Sequence, residues 1–381
     1  MLVGMSKQKS KTEARGPQRI GNRPRVRLVD IAEQAGVSRT AVARVLLGTG
    51  ADRVRVSSTV ETRIRRIATA MAYRPNQAAR QLKGVKSGMV GVLLDTANRA
   101  VMSDRVMAIE QVAAARGVRL LVGGVQGNAA RLGEYLADFQ NRAVDGMILL
   151  FDVTARHDRL LRRLIPRDAN AVYHGRPLRP GDKCVRVDTF CGVKLVVEHM
   201  LKQGYRRIGL ELFNLDDRLM QIRREAYKET LAAAGRKIKP GLIWAGAGSA
   251  SRPHAEHLDD AIRKLVDHGR IDALIASNDI WAVRFIQRLN EHGWRVPQAV
   301  AVSGYDNLDL ATVIEPNLTT VDQQHEDYAR EALLLLLDGA GNRPERVIEP
   351  RLIVRESTRR GPKVSLQSRA GSAGPTSGER V

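Results

Sequence analysis

The sequence predicts a small all-α helix-turn-helix module joined by a short hinge helix to a two-lobed, doubly wound α/β core. Three observations carry this expectation. At 381 residues the chain exceeds what one hydrophobic core usually organises. The hydrophobic period is helical from Leu28 to about Met71, then gives way to short apolar runs alternating with helical stretches. Charge changes along the same line: of the formal +21, residues 1–27 and 28–87 carry +7 each, the tail from Arg359 carries +4, and the residues between carry only +3.

Residues 1–26 are rich in Lys, Arg, Gln, Ser, Gly and Pro without periodic hydrophobics, which predicts a disordered basic arm. A module over 27–75 follows. Leu28, Ile31, Ala32 and Ala35 recur at helical spacing up to Gly36, and Ser38 caps a second helix carrying Val42, Val45 and Leu46. Ser57 or Ser58 opens a third, with Ile64, Ile67, Ala68 and Met71 inward, ending before Tyr73-Arg74-Pro75. Residues 76–87 read as hinge helix and linker. Too short to hold a helix alone, residues 76–83 are expected to order only on a partner surface.

From residue 88 to 358 the pattern is strand–helix alternation. Met89–Leu94, Val118–Val122, Gly146–Phe151, Ala171–Tyr173, Arg207–Leu212, Ile271–Ala276 and Val300–Gly304 are apolar runs of buried parallel-strand type. Repeated βα units imply parallel sheets with helices on both faces and ligands at the carboxyl ends of the strands. Residues 359–381, dense in Gly, Ser and Pro, read as a disordered tail.

Composition narrows the function classes. Hydrophobic residues at 43% and charged residues at 27% place the chain among globular proteins. A basic module on a near-neutral body is the footprint of a protein that neutralises DNA phosphates with one end. Cys184 and Cys191 cannot build a disulfide framework, and no CxxC or His cluster accompanies them, so no metal site is expected. With neither an apolar leader nor a run of about 18 apolar residues, the expectation is a cytoplasmic protein without membrane contact. No GxSxG, Walker-type loop or completed dinucleotide fingerprint occurs, which argues against an enzyme and against a bound cofactor.

The run from Asp30 to Leu46 has the mechanics of a DNA-reading helix-turn-helix. Ala32 and Ala35 let two helices approach, Gly36 permits the tight turn, and Val37 and Val42 close a miniature core. A second helix lying in the major groove presents its N-terminal residues to base edges. Ser38, Arg39 and Thr40 therefore face DNA, with Arg39 suited to bidentate contact with guanine and Arg44 a turn further on as another reader.

Together with Tyr73-Arg74-Pro75-Asn76-Gln77-Ala78-Ala79-Arg80-Gln81-Leu82, the Ala35-Gly36-Val37-Ser38 and Arg44-Val45-Leu46 segments closely resemble the lactose-repressor (LacI/GalR) family. Val144-Asp145-Gly146, Ser277-Asn278-Asp279, Val302-Ser303-Gly304-Tyr305-Asp306 and Asn317-Leu318-Thr319-Thr320-Val321 extend the resemblance from about Arg27 to Arg359. It implies a core like the periplasmic sugar-binding proteins: an N-lobe of about 88–187 and 321–347, a C-lobe of about 188–320 and 348–358, and crossovers near 187, 320 and 347. It also implies a homodimer on pseudo-palindromic operator DNA, in which two hinge helices pair in the minor groove, Leu82 wedges between base steps with Ala79 beside it, and Asn76 is a further DNA-binding residue. Family positions that touch a small-molecule effector map onto Arg223, Asn278 and Asp306, with His174, Trp281 and His325 near the cleft.

An arginine, an amide and a carboxylate together suit sugar hydroxyls or a sugar acid. The resemblance thus implies a repressor of carbohydrate genes, with a corepressor-responsive regulator, an activator and an architectural DNA-binding protein as alternatives. Many relatives carry hydroxyl residues where this chain has Ala41 and Ala43, and an Asn where it has Leu47.

Overall fold

The computed structural model describes residues 26–48, 55–73, 86–94, 99–126, 128–142, 144–151, 155–246, 253–339, 341 and 343–360. The chain divides into two units, residues 1–85 and 86–381.

In the first unit, three helices form as the hydrophobic pattern requires: α1 (Leu28–Ala35), α2 (Arg39–Leu47) and α3 (Ser58–Ala70). α1 begins with Asp30 accepting from the Arg27 amide at 2.7 Å, and ends at Gly36, whose φ of 64° a side chain would strain. Ser38 Oγ accepts from the Ala41 amide at 3.2 Å to open α2, and Ser57 opens α3. Ile31, Ala32, Ala35, Val42, Ile64 and Ala68 make the core, closed by partly buried Val37, Val45, Leu46, Ile67 and Met71.

In the second unit, two parallel sheets lie in sequence. The first has six strands, β1 (Met89–Leu94), β2 (Arg119–Gly124), β3 (Met147–Leu150), β4 (Ala171–His174), β5 (Lys183–Val187) and β11 (Glu345–Ile348), in the order β11-β5-β4-β3-β1-β2. The second has four, β6 (Ile208–Leu212), β7 (Ile243–Ala245), β8 (Ala273–Ile275) and β9 (Ala301–Ser303), in the order β7-β6-β8-β9. In each sheet the first strand has neighbours on both sides, so the direction of winding reverses there. Those reversals, between β1 and β3 and between β6 and β8, open crevices at the strand carboxyl ends.

Three passages join the lobes. Val187 ends β5 in the first sheet and leads through Asp188 into the helix Thr189–Lys202, which packs on the second lobe. β10 (Thr320–Asp322) and β12 (Arg351–Ile353) form an antiparallel pair carrying the chain across and back. The last crossing comes later than the expected 347, because Glu345–Ile348 still pairs with β5 as an edge strand. Arg359 and Arg360, expected in the tail, belong to the described structure: Arg360 donates to the Gly204 carbonyl and lies 5.0 Å over the Tyr205 ring. Ser87, expected in the linker, is tied to the core by Asp145, which accepts from its amide at 2.6 Å.

Candidate nucleic-acid interface and ligand cleft

α2 packs through Ala41 and Val42, which leaves its start outward: Ser38, Arg39 and Thr40 are all exposed. These are the residues predicted to read DNA, and they stand at a helix N-terminus, the end of the peptide dipoles that favours anions. Arg44 differs. It is half-buried, with Nη1 buried and without a hydrogen-bond partner. Asn76, Ala79 and Leu82 lie outside the described residues.

The carboxyl ends of the strands hold the second constellation. Asp306 follows β9, is buried, and carries a φ of 118°, a conformation costly for any residue with a side chain. Its amide donates to the Val321 carbonyl at 2.8 Å, and its Oδ1 accepts from Gln323 Nε2 at 2.5 Å. Gln323 Oε1 accepts in turn from Arg105 at 2.7 Å. Arg105 sits on the helix Arg99–Ala115 of the first lobe, so this chain of bonds runs from one lobe through a crossover strand's end to the other. Arg105 is fully buried, lies 4.4 Å over the Tyr328 ring and approaches the His174 ring at 3.2 Å.

Both histidines of this region are neutral near pH 7. Burial, then the Arg105 charge and His325, hold His174 well below the usual imidazole range; burial and Arg105 push His325 down to about 3. His174 Nδ1 lies 3.1 Å from the Tyr328 hydroxyl, whereas both ring nitrogens of His325 are buried without a hydrogen-bond partner. Each is therefore one donor and one acceptor rather than a charge, and those of His174 are taken up by Arg105 and Tyr328.

Arg223 enters from the helix Arg218–Ala233, buried, with its guanidinium 3.8 Å over the Tyr305 ring and donating to the Ser277 carbonyl. Asn278 is the N-cap of the helix Asp279–Glu291, its Oδ1 accepting from the Trp281 amide at 2.9 Å. Asp279 accepts from the Thr320 hydroxyl and the Leu308 amide, and burial with the neighbouring Asp306 raises its carboxyl well above the usual range. Trp281 lies in the first turn of that helix, its indole fully buried, 6.1 Å from Trp244 and 6.0 Å from Phe285.

Arg223, Asn278 and Asp306 thus converge from three elements of one lobe, and His174 and His325 join Arg105 on the other. Arg105, Gln323, Tyr305 and Tyr328 escaped the sequence reading. An arginine in a charged helix reads as surface, and the tyrosines read as core. Burial also pushes the Cys184 thiol up to about 12, consistent with an unreactive cysteine. Among the described residues no group of His, Cys, Asp and Glu has a metal-holding arrangement, and no helix is long and apolar enough to cross a membrane.

Comparisons with known proteins agree with this fold. A model of bacterial regulatory proteins of the lacI family matches residues 27–76, and a periplasmic binding protein-like domain matches residues 197–358. The transcriptional regulator CelR of Thermobifida fusca is 31% identical over 351 residues, spanning 88% of this chain and 99% of that protein. The ribose operon repressor of Escherichia coli K12 is 27% identical over 309 residues, 81% of this chain and 91% of that one. In fold, the chain is similar to a lac repressor dimer bound to operator and the anti-inducer ONPF, with TM-score 0.73 at 21% identity over 88% of this chain and 99% of that one. A CelR–cellobiose complex aligns with TM-score 0.61 at 27% identity, over 87% and 100%.

Proposed function

Because the chain belongs to the lacI family of bacterial regulatory proteins, we propose that it grips operator DNA as a homodimer and changes its grip when a sugar or sugar acid enters the cleft. It is a DNA-binding transcriptional regulator and not an enzyme. The observation that carries the reading is the exposed Ser38-Arg39-Thr40 at the start of a helix held in a helix-turn-helix, on a chain whose core gathers Arg223, Asn278 and Asp306. In this assignment residues 27–75 read the major groove, 76–87 form the hinge whose Leu82 enters the minor groove with Asn76 and Ala79, and 88–358 bind effector and dimerise in the cytoplasm.

The effector class follows from the donor set. Guanidinium, amide and carboxylate present paired donors and acceptors to vicinal hydroxyls, and the neutral His325 adds a further polar face. The relatives named for the ribose operon and crystallised with cellobiose support a carbohydrate. Repression relieved by the ligand is the proposed sign. In the corepressor alternative the sign is reversed, and ligand would tighten DNA binding.

The experiment is a thermal-stability screen of the full chain against sugars, sugar acids and purines, followed by operator selection from genomic fragments. One ligand should raise the melting temperature and weaken binding to the selected fragment. DNA binding untouched by any stabilising ligand would overturn the effector reading.

A further inference from the structure

β6 carries one ionisable group in an otherwise apolar run. Ile208, Leu210 and Leu212 join the lobe's core, while Glu211 between them is fully buried. A buried carboxylate persists only where other groups bond it. Glu211 Oε2 accepts from both the amide and the hydroxyl of Ser277, at 2.8 and 2.7 Å. Arg223 donates to the carbonyl of that same Ser277. The serine is thus held from both ends, immediately before Asn278 and its helix cap. Glu211 Oε1 and Arg223 Nε are both buried without a hydrogen-bond partner, and the Arg223 charge acts on the Glu211 carboxyl through space.

We propose that Glu211 is a positioning residue for ligand recognition: bonded to Ser277 while Arg223 holds the other end of that residue, it sets how the guanidinium and the Ser277–Asn278 turn meet a ligand. The inference rests on the reading that Arg223 and Asn278 contact the effector; Glu211 acts through them.

This positioning is linked to protonation. Burial pushes the carboxyl up to about 7, against the Ser277 bonds and the Arg223 charge that pull it down. Among the described residues Arg223 is the charged group acting on it. Tyr227, whose hydroxyl donates to the Ile208 carbonyl, and Tyr305 beneath Arg223 are both raised by burial and stay neutral. Ionised Glu211 compensates the guanidinium; protonated, it leaves that charge to the ligand. A carboxylated sugar therefore binds more tightly on the acid side of the transition, by up to about tenfold per unit of linked pKa change.

The test uses the full chain labelled with ¹⁵N-arginine. The Nε–H resonance of Arg223, identified by its loss in R223K, should titrate with a midpoint near pH 7. It should stay flat in E211Q, which preserves size and the bonds from Ser277. In S277A, which removes one bond to the carboxylate, the midpoint should move upward. A parent resonance that does not change between pH 6 and 8, or an unchanged titration in E211Q, overturns the proposal. Calorimetry with D-gluconate at pH 6 and 8 then reads the ligand arm, where E211Q should remove most of the pH dependence. Failure of D-gluconate, D-ribose and cellobiose to bind would count against the effector reading, while the arginine resonance would still decide the role of Glu211.

Discussion

Arg39 and Arg223 separate the two activities at the level of single side chains. Arg39 is exposed at the first position of α2, so Arg39→Ala should cost about 1–3 kcal/mol of discrimination between operator and random duplex, with the fold intact. Competition binding reads this, and equal discrimination would remove Arg39 from the reading surface. Arg223→Ala should leave operator affinity within a few-fold of the parent and abolish the ligand's effect on it; a retained effect would move the ligand elsewhere. His325 gives a pH prediction of fixed sign. Its folded pKa lies below the unfolded value, so its contribution is present above about pH 6.5 and is lost as pH falls toward 3. Melting temperatures between pH 7 and 5 should therefore fall less in His325→Gln than in the parent. Legibility at this scale was uneven. Arg223, Asn278 and Asp306 could be named as candidates from motifs, whereas the packing of Trp281 against Trp244 and Phe285 could not be read from them. Glu211 did leave a signal, a lone carboxylate inside Ile-Gly-Leu-Glu-Leu, which a buried parallel strand tolerates only with dedicated partners.

Helices and strands respond to different changes. α2 depends on its cap: replacing Ser38 by Ala removes the bond to the Ala41 amide and should cost about 1 kcal/mol of module stability, measurable by chemical denaturation. The helix Thr189–Lys202 depends on a missing side chain. A Cβ at Gly192 would lie 2.6 Å from the Tyr305 hydroxyl, so Gly192→Ala should overpack that contact by about 1–3 kcal/mol and blunt the ligand response, because Arg223 stacks on the displaced ring. An unchanged melting temperature would show that the ring gives way freely. The three helices of the first unit were legible because period, cap and Gly36 all point the same way. β1, β2, β3, β4, β6, β8 and β9 were legible as apolar runs. β5, β7, β11 and the β10–β12 pair were not, since runs such as Lys183–Val187 and Glu345–Ile348 mix charged residues into short or edge strands whose pairing comes from distant parts of the chain.

For the whole molecule, the proposed effector and operator would act on one another through a shared equilibrium, which makes their coupling reciprocal. The Arg105–Gln323–Asp306 chain of bonds spans the lobes and is where a ligand in the cleft would intervene. The concentration of positive charge in the first 87 residues adds a further requirement, a steep fall of DNA affinity with salt. What the sequence could not supply is the packing that buries Arg105 and His174 together, because that depends on strands and crossovers far apart in the chain. The most direct measurement is the affinity of the purified protein for its best genomic fragment against a random duplex of the same length, at physiological ionic strength. A preference of about a thousandfold or more is expected; equal binding to both would contradict the account.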